Sequence, residues 1–450
     1  MQSSNYAIAM ALAVLPLGGG LSLQCASSQR TSWPPHHNAW RRSRAPCLAA
    51  AADGRSNGGG DGGDEEDVNE DSSSSSFSAA NLAVLSQRLA AVKQSTDDEA
   101  VAAMMGAAAN WRVGRCAQRV VCILDDWIRR LDVHEGVLAC GTYTGDVVLC
   151  DVATGSLIKS WDTEIWDPTE SDVDYDGQSE ITAIQLTSNG DEQLRVLSGD
   201  AQGAVVLRAP NAKAPLMRAT HRAPVSAVHY DGDSRVYSAS LDSRLACYEV
   251  DGTTDGAVLS VPSTTLTLKQ PILQMSVFEN YAALALSDGS VTLATLSPMR
   301  ELFSFKAHDR SATTAVSLVT SSQLLTGSAD GKVRLWRLDE DGDSERRCVT
   351  FEGHQGPVVC LYGDGDKVVS GSRDGSVRVW ESESAASRFV LYGYTTYIGS
   401  LHVSPTCLLS DGTNNAVMLL DFTEAAVLEQ QREQEEEDDD DDGGTFLTGE

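Results

Sequence analysis

The sequence predicts an all-β fold, a seven-bladed β-propeller, with a short N-terminal helical segment and disordered termini. Three observations predict it. Two nonapeptides are nearly identical, Ser328-Ala329-Asp330-Gly331-Lys332-Val333-Arg334-Leu335-Trp336 and Ser372-Arg373-Asp374-Gly375-Ser376-Val377-Arg378-Val379-Trp380. Tight-turn pairs recur at Thr144-Gly145, Gln202-Gly203, Asp242-Ser243, Asp288-Gly289, Asp330-Gly331, Asp374-Gly375 and Asn414-Asn415. After a longer first interval they are spaced by roughly 40 to 46 residues, the period of a four-stranded blade.

Each unit reads as an apolar strand, a tight turn and an alternating strand. Gln323 to Gly327 and Lys367 to Gly371 precede the two clear turns. Gly after Asp tolerates the positive φ of such a turn. Val333 and Leu335, like Val377 and Val379, then alternate with polar residues at period two. One blade cannot bury both its faces, whereas a closed ring can. Arg119 to Leu124 is the expected closing strand, paired with Ala416 to Phe422. The long first interval holds an acidic insertion, Asp162 to Glu180.

The flanks divide by composition. Residues 1–52 read as a targeting presequence. Ala7 to Leu23 is a short apolar run broken by Pro16 and glycines, and the next stretch carries Ser and Arg with no acid before Asp53. Signal plus transit chemistry of this kind resembles the plastid address of algae with complex plastids. Secretion, the ER or the cytoplasm are the alternatives. Residues 53–78 are a Gly/Ser/acidic linker expected to be disordered. Residues 79–110 read as a helical segment, with Leu82, Leu85, Leu89 and Val92 on one face and a second short helix over Asp97 to Ala109. The propeller spans 111–424, and 425–450 is an acidic tail expected to be disordered.

The net charge of −30 disfavours nucleic acid and anionic lipid and suits a basic protein partner. Ten cysteines show no CxxC pair and no zinc spacing. Cys122, Cys140, Cys150, Cys247 and Cys360 lie in strand-like runs, so they are read as reduced, buried small hydrophobes. No phosphate loop, HExxH, EF-hand or nucleophile elbow occurs, and no metal, cofactor or catalytic residue is assigned.

The repeats resemble the WD40 family. Gly353-His354 before the first strand, Asp374 in the turn and Trp380 at the end of the third strand carry the motif, as do Ala307-His308, Asp330 and Trp336. The resemblance implies structural tetrads of His354, Ser370, Asp374 and Trp380, and of His308, Thr326, Asp330 and Trp336. A partial set is His221, Ser238 and Asp242, with Tyr248 where Trp would stand. The other units have Cys150, Arg208, Ala294 and Leu420 there and are expected to rely on apolar packing. A His–Ser–Asp trio repeated in several blades is structural rather than a hydrolase triad, since an enzyme needs one site.

Upstream, Asn110-Trp111-Arg112-Val113-Gly114-Arg115 resembles the connector of F-box/WD-repeat proteins, although residues 79–109 lack an F-box. Trp111 also reads simply as an anchor on the propeller's flank. The expected function is a non-catalytic interaction scaffold binding proteins through propeller loops. The alternative is a substrate-recognition subunit of a ubiquitin ligase reading its ligand with Arg334, Arg373 and Arg378.

Overall fold

Seven turns set the architecture, and the backbone takes positive φ at each: Gly145, Gly203, Ser243, Gly289, Gly331, Gly375 and Asn415. A computed structural model describes residues 14–16, 98–162, 179–188, 193–250, 259–338, 348–392, 398–411 and 415–442. The linker 53–78, the first expected helix and nearly all of the presequence and acidic insertion lie outside the described residues. At Gly289 a second constraint adds to φ, because a Cβ there would sit 2.2 Å from the His308 carbonyl oxygen.

The strands form a seven-bladed β-propeller of antiparallel sheets. Blade 1 comprises β3 (Ile128–His134), β4 (Val137–Thr142), β5 (Val147–Asp151) and β6 (Leu157–Trp161). Blade 2 comprises β7 (Ile181–Ser188), β8 (Leu194–Asp200), β9 (Ala204–Arg208) and β10 (Met217–Thr220). Blade 3 comprises β11 (Val225–Tyr230), β12 (Arg235–Ser240), β13 (Arg244–Glu249) and β14 (Thr264–Thr267). Blade 4 comprises β15 (Ile272–Phe278), β16 (Tyr281–Leu286), β17 (Ser290–Leu296) and β18 (Met299–Lys306). Blade 5 comprises β19 (Thr313–Thr320), β20 (Gln323–Ser328), β21 (Val333–Arg337) and β22 (Cys348–Phe351). Blade 6 comprises β23 (Val358–Gly363), β24 (Lys367–Ser372), β25 (Ser376–Glu381) and β26 (Ser387–Tyr392), with β1 (Val14–Pro16) added at the edge of β26.

Blade 7 joins the two ends of the propeller. β27 (Leu401–Val403), β28 (Cys407–Asp411) and β29 (Ala416–Asp421) are completed by β2 (Ala117–Ile123), which pairs antiparallel with β29. The ring thus closes by hydrogen bonds between β2 and β29.

Neighbouring blades lock through a repeated notch. A glycine in the second strand receives the first apolar side chain of the next inner strand. A Cβ on Gly141, Gly199 or Gly327 would lie 2.3 Å from Ile181, 2.4 Å from Val225 and 2.6 Å from Val358, respectively. The inner strands also bridge directly. Asp132 Oδ2 accepts from the Leu186 N–H at 2.8 Å, Gln185 Oε1 from Tyr230 at 2.6 Å, and Gln274 Oε1 from Val316 at 2.6 Å. Backbone donors that face the channel are satisfied in this way.

Helix α1 (Asp98–Val113) runs past Ala109 and takes in most of the connector. Gly114 at positive φ ends it, and the Asn110 carbonyl accepts from the Gly114 and Arg115 N–H groups. Asn110 Nδ2 donates to the Phe422 carbonyl at 2.9 Å, and Trp111 Nε1 to that of Pro405 at 3.0 Å. The buried Trp111 ring stacks 3.6 Å from Phe422 and lies 4.8 Å beneath the Lys367 ammonium.

One expectation needs correction. Part of the tail expected to be disordered is helical, over Glu424–Asp442, here α2, and residues 443–450 lie outside the described residues. Thr423 Oγ1 accepts from the Ala426 N–H at 3.4 Å as a cap, Val427 is buried, and Gln430 Oε1 accepts from the Gln118 N–H at 3.2 Å. Good helix formers and one docked turn outweigh the charge repulsion that suggested disorder.

Candidate functional site: the channel mouth

The positions that the resemblance assigns to tetrads meet in blades 6, 5 and 3 to different degrees. In blade 6, Trp380 Nε1 donates to Ser370 Oγ at 2.8 Å, because an indole has no acceptor. The serine proton then goes to His354 Nε2 at 2.8 Å, and His354 Nδ1 donates to Asp374 Oδ2 at 3.0 Å. Burial works to raise the Asp374 pKa. Bonds from His354, Ser376 and the Gln355 N–H outweigh it and hold the carboxyl well below its usual range.

In blade 3 the same chain runs from Ser238 Oγ to His221 Nε2 at 2.7 Å and from Nδ1 to Asp242 Oδ2 at 3.1 Å. The Tyr248 hydroxyl reaches Ser238 in place of the indole. In blade 5, Trp336 Nε1 donates to Thr326 Oγ1 at 2.9 Å and Thr326 meets His308 Nε2 at 3.0 Å. Asp330 does not complete that set. It lies exposed in its turn, and the buried His308 Nδ1 has no hydrogen-bond partner among the described residues. The intervening loop is one residue longer here, four residues separating His308 from Thr313 where three separate His354 from Val358. Burial, aided by the Arg334 cation, pushes the His308 pKa down to about 4.

Sequence reasoning missed one polar substitute. Blade 2 does not rely on apolar packing alone, because Arg208 Nη1 donates to Ser198 Oγ at 3.0 Å.

The tetrad turns stand at one end of the channel, where a second repeated bond builds a rim. The residue after the second strand donates its N–H to the carbonyl just before the inner strand. The pairs are Tyr143 to Trp127, Ala201 to Glu180, Leu241 to Pro224, Ser287 to Pro271, Ala329 to Ala312 and Arg373 to Pro357, at 2.8 to 3.1 Å. Inside this rim, the inner strands of blades 1 to 6 each slip register near their start, between Ile128/Arg130, Ile181/Ala183, Val225/Ala227, Ile272/Gln274, Thr313/Ala315 and Val358/Cys360. A bulge bends its strand and re-aims the extra side chain. Ser226, Leu273, Thr314 and Val359 line a central cavity of about 470 Å³ with Arg130 and Arg373.

Arg130 is held at the mouth by three carbonyls. Nε donates to Thr182 at 2.7 Å, and Nη1 to Arg129 at 2.7 Å and Gly399 at 3.1 Å. Behind it, the Asp411 carboxylate accepts from the Gly399 and Ser400 N–H groups at 2.5 and 3.2 Å. Burial nevertheless lifts its pKa to about 7. Over blade 1 the rim is aromatic. Trp127 and Tyr143 are 63 % and 48 % exposed with ring centroids 5.9 Å apart. Arg129, ion-paired with Glu180, lies over the Tyr143 ring.

The structure does not bring Arg334, Arg373 and Arg378 together. Arg373 reaches the mouth, whereas Arg334 and Arg378 stack 5.9 and 5.6 Å from the Trp336 and Trp380 rings within their own blades. The sequence did hold a signal for the rim. In Ile128-Arg129-Arg130-Leu131 the apolar alternation skips a beat where the bulge falls.

The IP5P C-F beta-propeller family matches residues 297–418, from the end of blade 4 into blade 7. Among solved structures, the crystal structure of the computationally designed Ika8 protein is similar at 19 % identity and a TM-score of 0.48. That similarity covers 67 % of this chain and 99 % of the designed one. No curated protein matches the sequence. Among the described residues, no group of three His, Cys, Asp or Glu side chains is placed to hold a metal ion.

Proposed function

We propose that this chain is a non-catalytic WD40-type interaction scaffold that seats a protein partner across the channel mouth. The exposed Trp127–Tyr143 pair on the rim carries the proposal. Large aromatics and arginines dominate interface energies. Here they stand on turns fixed by backbone bonds, so little ordering entropy is lost on binding. The tetrad His and Asp groups support a non-catalytic reading, because His221 and His354 are buried and already bonded at both ring nitrogens. The charge of −30 favours a basic partner.

The ubiquitin-ligase reading has less behind it. Asn110, Trp111 and Gly114, which carry the connector resemblance, are committed to clamping the chain ends, and the arginines it would use are apart. The composition of residues 1–52 adds a plastid address to the proposal, which a C-terminal fluorescent fusion tests.

The decisive experiment compares tagged wild type with the Trp127→Ala/Tyr143→Ala double variant in quantitative co-purification. The expected result is loss of the wild-type partners with an unchanged thermal midpoint. The same partners retained at the same yield would refute the site. Binding of a Skp-type adaptor would instead favour the ligase reading.

A further inference from the structure

The strand that closes the ring carries a thiol to the one blade whose tetrad positions hold sulfur. Cys140 stands where blades 6 and 3 have Ser370 and Ser238. Cys150 stands where they have Trp380 and Tyr248, and both cysteines are buried. Cys122 arrives from β2, where the register slips between Val120 and Cys122. The extra residue there reorients the side chains next to it. Val121, Cys140 and Cys150 share one apolar cluster, and Cys122 packs against it. Cys122 packs against the cluster close enough to Cys140 and Cys150 to perturb their shared electrostatics.

Cys140 and Cys150 are poorly placed to bond each other. Cys140 pairs with Val148, so Cys150 is its diagonal neighbour. Diagonal Cα atoms are about 7–8 Å apart, beyond the roughly 6.8 Å that a disulfide spans. Cys122 is therefore the connecting member, and it is also the partly exposed one.

We propose that Cys122 is a redox modification site at which a small-molecule disulfide drives formation of a Cys122–Cys140 or Cys122–Cys150 bond, covalently joining the closing strand β2 to blade 1. The step balances as two thiol–disulfide exchanges. The Cys122 thiolate attacks one sulfur of the oxidant and expels a thiolate. The blade 1 thiolate then attacks Cys122 in the mixed disulfide and expels a second. Two protein thiols are oxidised, the oxidant becomes two thiols, and the protons pass to the leaving groups. The neighbouring Cys140 and burial hold the Cys122 pKa up at about 12, so the thiol is protonated near neutral pH and the exchange accelerates as pH rises.

The test treats the full chain with oxidised glutathione at pH 8, alkylates it in denaturant and maps unreduced peptides by mass. The expected product links the Cys122 peptide to that of Cys140 or Cys150. The thermal midpoint rises by roughly 5 °C, and reductant reverses both changes. Cys122→Ser abolishes the link and the thermal shift. Cys140→Val and Cys150→Val identify the partner. Mapping needs only the wild-type chain, so it decides the matter even if a variant misfolds. Cys122 fully alkylated after oxidation, capped by glutathione alone, or joined to a cysteine outside the cluster would overturn the proposal.

Discussion

Arg208 takes the place of an indole: its Nη1 donates to Ser198 Oγ at 3.0 Å, as Trp380 Nε1 donates to Ser370 Oγ ten residues upstream in blade 6. A charge-assisted bond to a buried hydroxyl contributes about 1.5–3 kcal/mol. Arg208→Ala should therefore lower unfolding free energy by about that amount in urea titrations, and Arg208→Lys should recover only part of it. An unchanged midpoint for Arg208→Ala would show that blade 2 is held by packing.

His354 and His308 should separate under the same substitution. His354→Ala removes one hydrogen bond from each of Asp374 and Ser370. A bond to a charged group contributes about 1.5–3 kcal/mol and a neutral one about 0.5–1.5 kcal/mol. His308→Ala removes a bond only from Thr326, since its Nδ1 has no partner among the described residues. The expected order of destabilisation in paired denaturant curves is His354→Ala well above His308→Ala.

The inter-blade notches should reject a single carbon. Gly199→Ala places a Cβ where Val225 Cγ1 lies 2.4 Å away, and Gly327→Ala does so against Val358 at 2.6 Å. Overpacking of this kind costs about 1–3 kcal/mol. Pairing Gly199→Ala with Val225→Ala should restore part of the loss, which a double-mutant cycle measures.

Two buried groups titrate with opposite sign in mild acid. His308 has its pKa lowered to about 4 in the fold from 6.5. Between those values the unfolded chain binds the extra proton, and stability is lost as pH falls through the window. Asp411 is raised to about 7 from 3.8. There the folded chain binds the extra proton, so its contribution is present at low pH and is lost as pH rises towards 7. His308→Gln should leave a stability that declines from pH 4 to 7, and Asp411→Asn one that climbs. Parallel pH profiles for the two variants would contradict both assignments.

The blades were legible because their turns demand particular residues: Gly375 or Gly331 at positive φ announces a hairpin whatever packs around it. Trp336 and Trp380 fixed the third strands for the same local reason. The channel mouth was less visible. Its bulged residues include an arginine, threonines, a serine, a leucine and a valine, because a bulge selects a backbone path and leaves the side chain free. Whether Asp330 reaches His308 depends on one inserted loop residue, which no spacing rule weighs. Helix α2 escaped notice because its docking partner, Gln118, lies 312 positions from Gln430 in the sequence.

Closure by β2 and β29 also has a consequence for synthesis. Gln118 and its contact Gln430 are separated by 312 positions, a delay of roughly 15 to 60 s at about 5–20 residues per second. Throughout that interval the opening strand leaves the ribosome with its ladder groups bare, and Val120 and Ile123 are in contact with water or a chaperone. A translational stall anywhere in the later blades would hold the nascent chain as an open arc, so the step most exposed to misassembly comes last.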